Sequence, residues 1–213
     1  MKFKNILLLS FSFFPKIRSC IYLSKNKLLF WANSVKIGKN SRILGPLYLR
    51  ICKNGSMFVG DNFTFTSGNG INPISRNIRG IIFIDRNAKI IIGNDTGISS
   101  SCLWAKCNIT IGNRVKIGGN CLLLDTDCHN LDYRIRNGNE IDEYGNRLDC
   151  SSASSIPIHI MDDVLVGANS IILKGVTIGE RSIIAAGSVV AKSIPADCIA
   201  GGNPCKIIRY INE

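Results

Sequence analysis

Residues 164–191 read VLVGANSIILKGVTIGERSIIAAGSVVA. Steps of six from Val166 land on Ile172, Ile178, Ile184 and Val190, all aliphatic. Two residues before each anchor stand Val164, Ser170, Val176, Ser182 and Ser188, and Gly167, Gly179, Ala185 and Ala191 follow four of the five. A period of six matches neither an amphipathic helix nor a half-buried strand. It fits a parallel β-helix in which each hexapeptide makes one flat side and three sides close a coil. The anchor points inward on every side, and a small residue fits where the chain turns a corner. One coil cannot bury its anchors, whereas stacked coils share a continuous core. A β-sandwich of short strands does not predict five anchors at unbroken six-residue steps.

The same step recurs upstream through Ile37, Ile43 and Leu49, through Val59, Phe65 and Ile71, and through Ile92, Ile98 and Trp104. It resumes at Ile111, Ile117 and Leu123. The expected fold is all-β: a left-handed parallel β-helix of about seven coils, with short helical segments at its ends. The expected organisation is an N-terminal basic and apolar segment (1–36), the β-helix (37–195) and a C-terminal tail (196–213) with a short helix. The period breaks on a large scale once, over 125–158, where aliphatic residues are few. A loop of that length inside a compact domain is usually functional.

Composition narrows the function classes. The chain of 213 residues is 46% hydrophobic and 19% charged, enough apolar material for a core. Nine cysteines, without CxxC or metal-ligand spacing, indicate reduced thiols in a cytoplasmic protein. Residues 1–60 hold eleven Lys/Arg and no Asp or Glu, so the whole net charge of +11 sits there. Such a block favours an anionic partner: a membrane surface or a phosphorylated substrate. Nucleic acid is not expected, because aromatic residues do not interleave with the basic ones. Ile6–Phe14 is too short to span a bilayer and lacks a cleavage site after it. Residues 1–30 are expected to cap the first coil, to touch the inner face of a membrane peripherally, or both.

Two histidines are present, His129 and His159. His129 closes the run Asp125-Thr126-Asp127-Cys128-His129, where the chain leaves the repeat. Beside carboxylates at a coil edge it is a candidate general base, with Asp125 or Asp127 orienting the ring. His159 lies between inward-facing Ile158 and Ile160, so alternation turns it outward as a structural residue.

Residues 157–179, 184–192 and 201–209 resemble the hexapeptide-repeat acyltransferases. The similarity is to maltose and galactoside O-acetyltransferases and to acetyltransferases of bacterial surface polysaccharides. The resemblance implies an acetyl-CoA-dependent O-acetyltransferase in surface polysaccharide biosynthesis, homotrimeric, with a sugar or lipid-linked glycan acceptor and no metal. It implies His129 as the base and Ala168 as the backbone donor to the oxyanion. Ala186, Ala191 and Lys192 would follow the pantetheine arm, and Lys206 and Arg209 would meet the nucleotide phosphates. Asp85 and Ser99 fall where the sugar enzymes contact acceptor. In those enzymes the histidine is usually followed by proline; here Asn130 follows.

Other functions fit less well. A γ-type carbonic anhydrase needs three histidines on one metal. A binding scaffold explains the repeat but neither the loop opening on His129 nor the closing Gly-Asn-Pro-Cys-Lys run. An amino-sugar N-acetyltransferase or a serine O-acetyltransferase on the same fold is the alternative, since an unprotonated amine needs less help from a base.

Overall fold

The computed structural model describes residues 18–68, 71, 72, 74 and 77–211. The apolar run Ile6–Phe14 lies outside them. After helix α1 (18–32) the chain winds through three faces, A, B and C, in repeating order. The first coil is β1 (Lys36–Ile37), β2 (Arg42–Leu44) and β3 (Leu47–Ile51); the second is β4 (Ser56–Val59), β5 (Thr64–Thr66) and β6 (Gly80–Ile84). The third is β7 (Lys89–Ile92), β8 (Gly97–Ser99) and β9 (Cys102–Ala105); the fourth is β10 (Asn108–Ile111), β11 (Lys116–Ile117) and β12 (Leu122–Leu124). The excursion loop follows, carrying α2 (Tyr133–Asn137) and α3 (Leu148–Ser151). The fifth coil is β13 (Ile158–Ile160), β14 (Leu165–Val166) and β15 (Ile171–Leu173); the sixth is β16 (Thr177–Ile178), β17 (Ile183–Ile184) and β18 (Val189–Val190). Ile194, bridging Ile178, and β19 (Cys198–Gly201) begin a seventh, and β20 (Lys206–Tyr210) ends the fold. All coil-to-coil pairing is parallel, and the last full coils keep an eighteen-residue register: His159 against Thr177, Leu165 against Ile183, Ile171 against Val189. The architecture is the left-handed parallel β-helix expected from the repeat.

The anchors explain the register. Val166, Ile172, Ile178, Ile184 and Val190 are all fully buried. The small residues two positions earlier also point inward. Ser170, Ser182 and Ser188 are buried, and their hydroxyls donate to corner carbonyls, Ser182 Oγ to Pro195 O at 2.7 Å. A buried hydroxyl would otherwise cost stability, so serine at this position serves both size and polarity. The glycine after the anchor has a different reason. A Cβ at Gly167 would lie 2.7 Å from Ala186 Cα, because the next coil crosses directly over it.

The A-to-B corner needs a left-handed residue in every coil. Asn40, Asn62, Asp95, Arg114, Asp163 and Arg181 take φ between 56° and 62°. Asn and Asp tolerate that region better than other side chains. The residues also bond along the stack: Asn62 Nδ2 donates to Asp95 Oδ1 at 2.8 Å, Arg114 pairs with Asp163 at 2.6 Å and Arg181 with Asp197 at 2.5 Å.

Three expectations are corrected. Trp104 is not an anchor; Leu103 and Ala105 face inward, and Trp104 packs edge-on against Phe83 outside. Ile71 belongs to no strand, because a second excursion separates Thr66 from Gly80. The C-terminal tail is not helical: β20 folds back antiparallel on β19. At the other end α1 caps the first coil. Phe30 joins the core, and buried Asn26 donates to Ile43 O and Gly45 O, both at 2.9 Å. No helix among the described residues is long and apolar enough to cross a membrane.

Candidate active site

His129 lies just beyond β12, at the corner between faces C and A, and its side chain is 60% exposed. Its Nδ1 is 2.7 Å from Oδ2 of Asp149, a carboxylate from α3 that is 5% exposed. Asp149 accepts the Asn130 N–H on Oδ1 at 3.0 Å. The hydrogen bond from the His129 ring is the main reason the Asp149 carboxyl sits below the usual carboxylate range. An ionised Asp149 makes Nδ1 the protonated nitrogen, which leaves the Nε2 lone pair free.

The orienting carboxylate is therefore Asp149, not Asp125 or Asp127. Asp125 is fully buried and spent on the backbone, accepting N–H groups of Lys106, Cys107 and Asn108 at 2.6–2.9 Å. Asp127 pairs with Lys174 at 2.9 Å. Asn130 gains a purpose as well: proline there could not donate the amide that Asp149 accepts.

The other candidate residues fall into two groups. Asp85, His129, Ala191 and Lys192 lie where strands of face C end, at the C-to-A corner. Ser99, Ala168 and Ala186 lie where those strands begin, at the B-to-C corner. Ala168 and Ala186 are stacked one coil apart, with Gly187 N–H donating to Ala168 O at 2.8 Å. Among the described residues neither the Ala168 nor the Ala186 amide has an acceptor. Lys206 and Arg209 are exposed on β20; Lys206 lies beside Gly201 at the same end of face B, and Arg209 beside Ile199, near the start of β19. Face C, with about 3.3 Å of rise per residue through β15, keeps the two groups on opposite edges of one protomer. His159 points outward from β13.

A cleft of about 660 Å³ opens between the excursion loop and the C-to-A corner. Its walls include Arg50, Lys53, Asp85, Arg86, Lys106 and Tyr144, with Cys150 on the loop side. The Cys150 thiol is within 4.8 Å of both the Asp149 carboxylate and a ring nitrogen of His129, so cleft and histidine adjoin. Lys106 Nζ donates to the carbonyls of Cys150 and Ala153, and the Arg86 guanidinium lies 3.6 Å from the Tyr144 ring centroid. These contacts hold the loop to the coil.

The bacterial transferase hexapeptide family (six repeats) matches residues 157–192. Galactoside O-acetyltransferase of Escherichia coli K12 is 38% identical over 105 residues, 49% of this chain and 45% of that protein. The chain's matches span less than half the length of the first curated relatives. Among solved structures, the hexapeptide-repeat acetyltransferase VCA0836 of Vibrio cholerae matches with TM-score 0.51 and 26% identity, over 84% of this chain and 74% of that one. A maltose O-acetyltransferase from Clostridium difficile 630 matches with TM-score 0.50 and 25% identity, over 84% and 68%.

Proposed function

We propose, from the premise that this chain is a hexapeptide-repeat β-helix of the acetyltransferase type, that it transfers an acetyl group from acetyl-CoA to a sugar hydroxyl. The observation that carries this reading is the His129–Asp149 pair at the rim of the cleft. A hydroxyl is a poor nucleophile until a base takes its proton, and a carboxylate-held imidazole is suited to that near neutral pH. His129 Nε2 accepts the hydroxyl proton as the acceptor oxygen bonds to the thioester carbonyl carbon. The C–S bond then breaks, and the proton passes from Nε2 to the departing thiolate sulfur. Asp149 stabilises the imidazolium in between.

The oxyanion needs a donor, and the unpartnered Ala168 amide is suited to it. Ala186, Ala191 and Lys192 would flank the pantetheine arm, and Lys206 and Arg209 would meet the phosphates. Because His129 and Ala168 occupy opposite edges of face C, the working site takes His129, Asp85, Ala191 and Lys192 from one protomer. Ser99, Ala168, Ala186, Lys206 and Arg209 come from the next. Three protomers around an axis close such a head-to-tail contact, which supports the homotrimer.

A role in surface polysaccharide biosynthesis, on a lipid-linked glycan, fits the N-terminal charge. On α1, Ile21, Leu28 and Trp31 are 61%, 62% and 77% exposed, and Arg18, Lys25 and Lys27 share the helix. An apolar strip beside lysines suits peripheral contact with an anionic membrane.

The test is release of CoA thiol from acetyl-CoA with hydroxyl-bearing and with amino-bearing sugars. Turnover with the hydroxyl sugars is expected. Turnover confined to the amino sugars would replace this reading with an N-acetyltransferase, and turnover with neither, without CoA binding, would remove it.

A further inference from the structure

The cleft beside His129 has an unusual charge arrangement. Four cations, Arg50, Lys53, Arg86 and Lys106, line it against two carboxylates, Asp85 and Asp142. Among the described residues none of the four cations makes an ion pair. Three of them are nevertheless held in place by neutral partners. Arg50 lies 5.6 Å over the Phe83 ring, Arg86 lies 3.6 Å from the Tyr144 ring centroid, and Lys106 binds loop carbonyls. An aromatic face or a carbonyl fixes a cation without cancelling its charge. The carboxylates are already engaged. Asp142 accepts the Tyr144 and Asn146 N–H groups at 2.9 and 2.8 Å, and Asp85 accepts the Arg86 N–H at 2.7 Å. The result is a walled space with four cations against two carboxylates, a net positive lining in which no cation is neutralised by a direct ion pair among the described residues. A neutral glycan would gain only hydrogen bonds to its hydroxyls from those cations. An anionic group would gain charge-assisted hydrogen bonds from Arg50, Arg86 and Lys53.

We infer that this cleft is the acceptor subsite and that the acceptor is an acidic glycan, whose carboxylate or phosphate sits on Arg50, Lys53 and Arg86. This rests on the acetyltransferase reading for its placement beside His129, but the anion site itself does not. With the anion on the cations, hydroxyls of the same or the adjoining sugar reach the loop wall formed by Cys150, next to the His129–Asp149 pair. Asp85 is placed to accept a hydroxyl from the same sugar.

The experiment compares matched hexosides: methyl glucoside with methyl glucuronoside, and glucose and galactose with their 6-phosphates. Affinity is measured by calorimetry on the intact protein, and transfer is measured with acetyl-CoA. The inference expects each acidic sugar to exceed its neutral partner at least about tenfold in affinity or kcat/KM. The advantage should fall at least about fivefold in Lys53→Gln and in Arg50→Gln, both at exposed positions. The uronate and phosphate arms separate the two anion chemistries. Equal affinity and equal transfer for neutral and acidic partners overturns the inference and leaves the acetyltransferase reading standing. Acid-selective binding without any transfer keeps the subsite and removes the acetyltransferase reading. An acidic preference that survives both substitutions places the anion elsewhere and overturns the assignment, as does the absence of binding and transfer for every sugar.

Discussion

Asp149 reaches Nδ1 of His129 at 2.7 Å from twenty residues further along the excursion loop. The loop closes on itself to deliver one buried carboxylate to one exposed imidazole, and most of the expected behaviour of the site follows from that contact.

Replacing His129 with alanine should lower turnover by about 10²–10⁴-fold, the usual share of a general base. Asp149→Asn should lower kcat by about 10²-fold with little change in the KM for acetyl-CoA, because the amide can hold the ring in the wrong tautomer. Steady-state kinetics on both variants checks this. Full activity in either would remove the pair from the mechanism.

Asp125→Asn should behave differently. It leaves His129 and Asp149 untouched but weakens the acceptor for three backbone N–H groups at a fully buried corner. The expected loss is about 1–3 kcal/mol of stability. Thermal unfolding should show the drop while the folded protein retains turnover. An active-site phenotype without destabilisation would contradict the structural role.

Subunit complementation tests the shared site. His129→Ala and the double variant Lys206→Glu/Arg209→Glu should each be inactive at low acetyl-CoA. Refolded together in equal amounts, they should recover about a quarter of wild-type activity, the chance that a neighbouring pair contributes one intact half each. No recovery in mixed oligomers would place the whole site within one protomer.

The N-terminal segment should bring the protein to vesicles containing anionic lipid at low salt, and high salt should release it, because exposed charges are screened. Trp31→Ser should weaken the binding, read by co-sedimentation. Failure to bind at low salt would leave α1 as a cap alone.

Acid should loosen the stacked corner. Asn113 hydrogen bonds lower Asp162, Arg114 lowers Asp163 and Arg181 lowers Asp197. A carboxyl lowered in the folded state contributes stability that is complete above the unfolded value of about 4 and is lost as pH falls through the folded one. Melting temperature should therefore hold from pH 7 to about 4 and decline below it, less steeply in high salt. A constant melting temperature down to pH 3 would contradict this.

The coil was legible because its rule is local. An anchor every six residues with a small neighbour requires no knowledge of distant contacts, and Val166 through Val190 lie where that rule places them. It slipped at Trp104, where a bulky apolar residue occupies an outward position next to the true inward Leu103. Of the histidine–carboxylate pair, the sequence pointed to His129, which sits where the period stops. Asp149 was not, because the excursion loop has no period and nothing in the chain's order links residue 149 to 129. One signal was available: asparagine after the histidine, where the sugar acetyltransferases that the sequence resembles usually carry proline, supplies an N–H that Asp149 can accept.

The reversed strand β20 also changes what the last coil presents. A parallel coil is a template for another identical coil, and stacking such coils end to end would give a growing fibre. β20 runs the opposite way along β19, while Gly202 O and Cys205 N–H close the outer edge of β18 at Val189. On face B a second molecule thus meets a reversed strand in place of a parallel one. A chain truncated before Lys206 would lose that reversed strand and leave the parallel edge of β19 open.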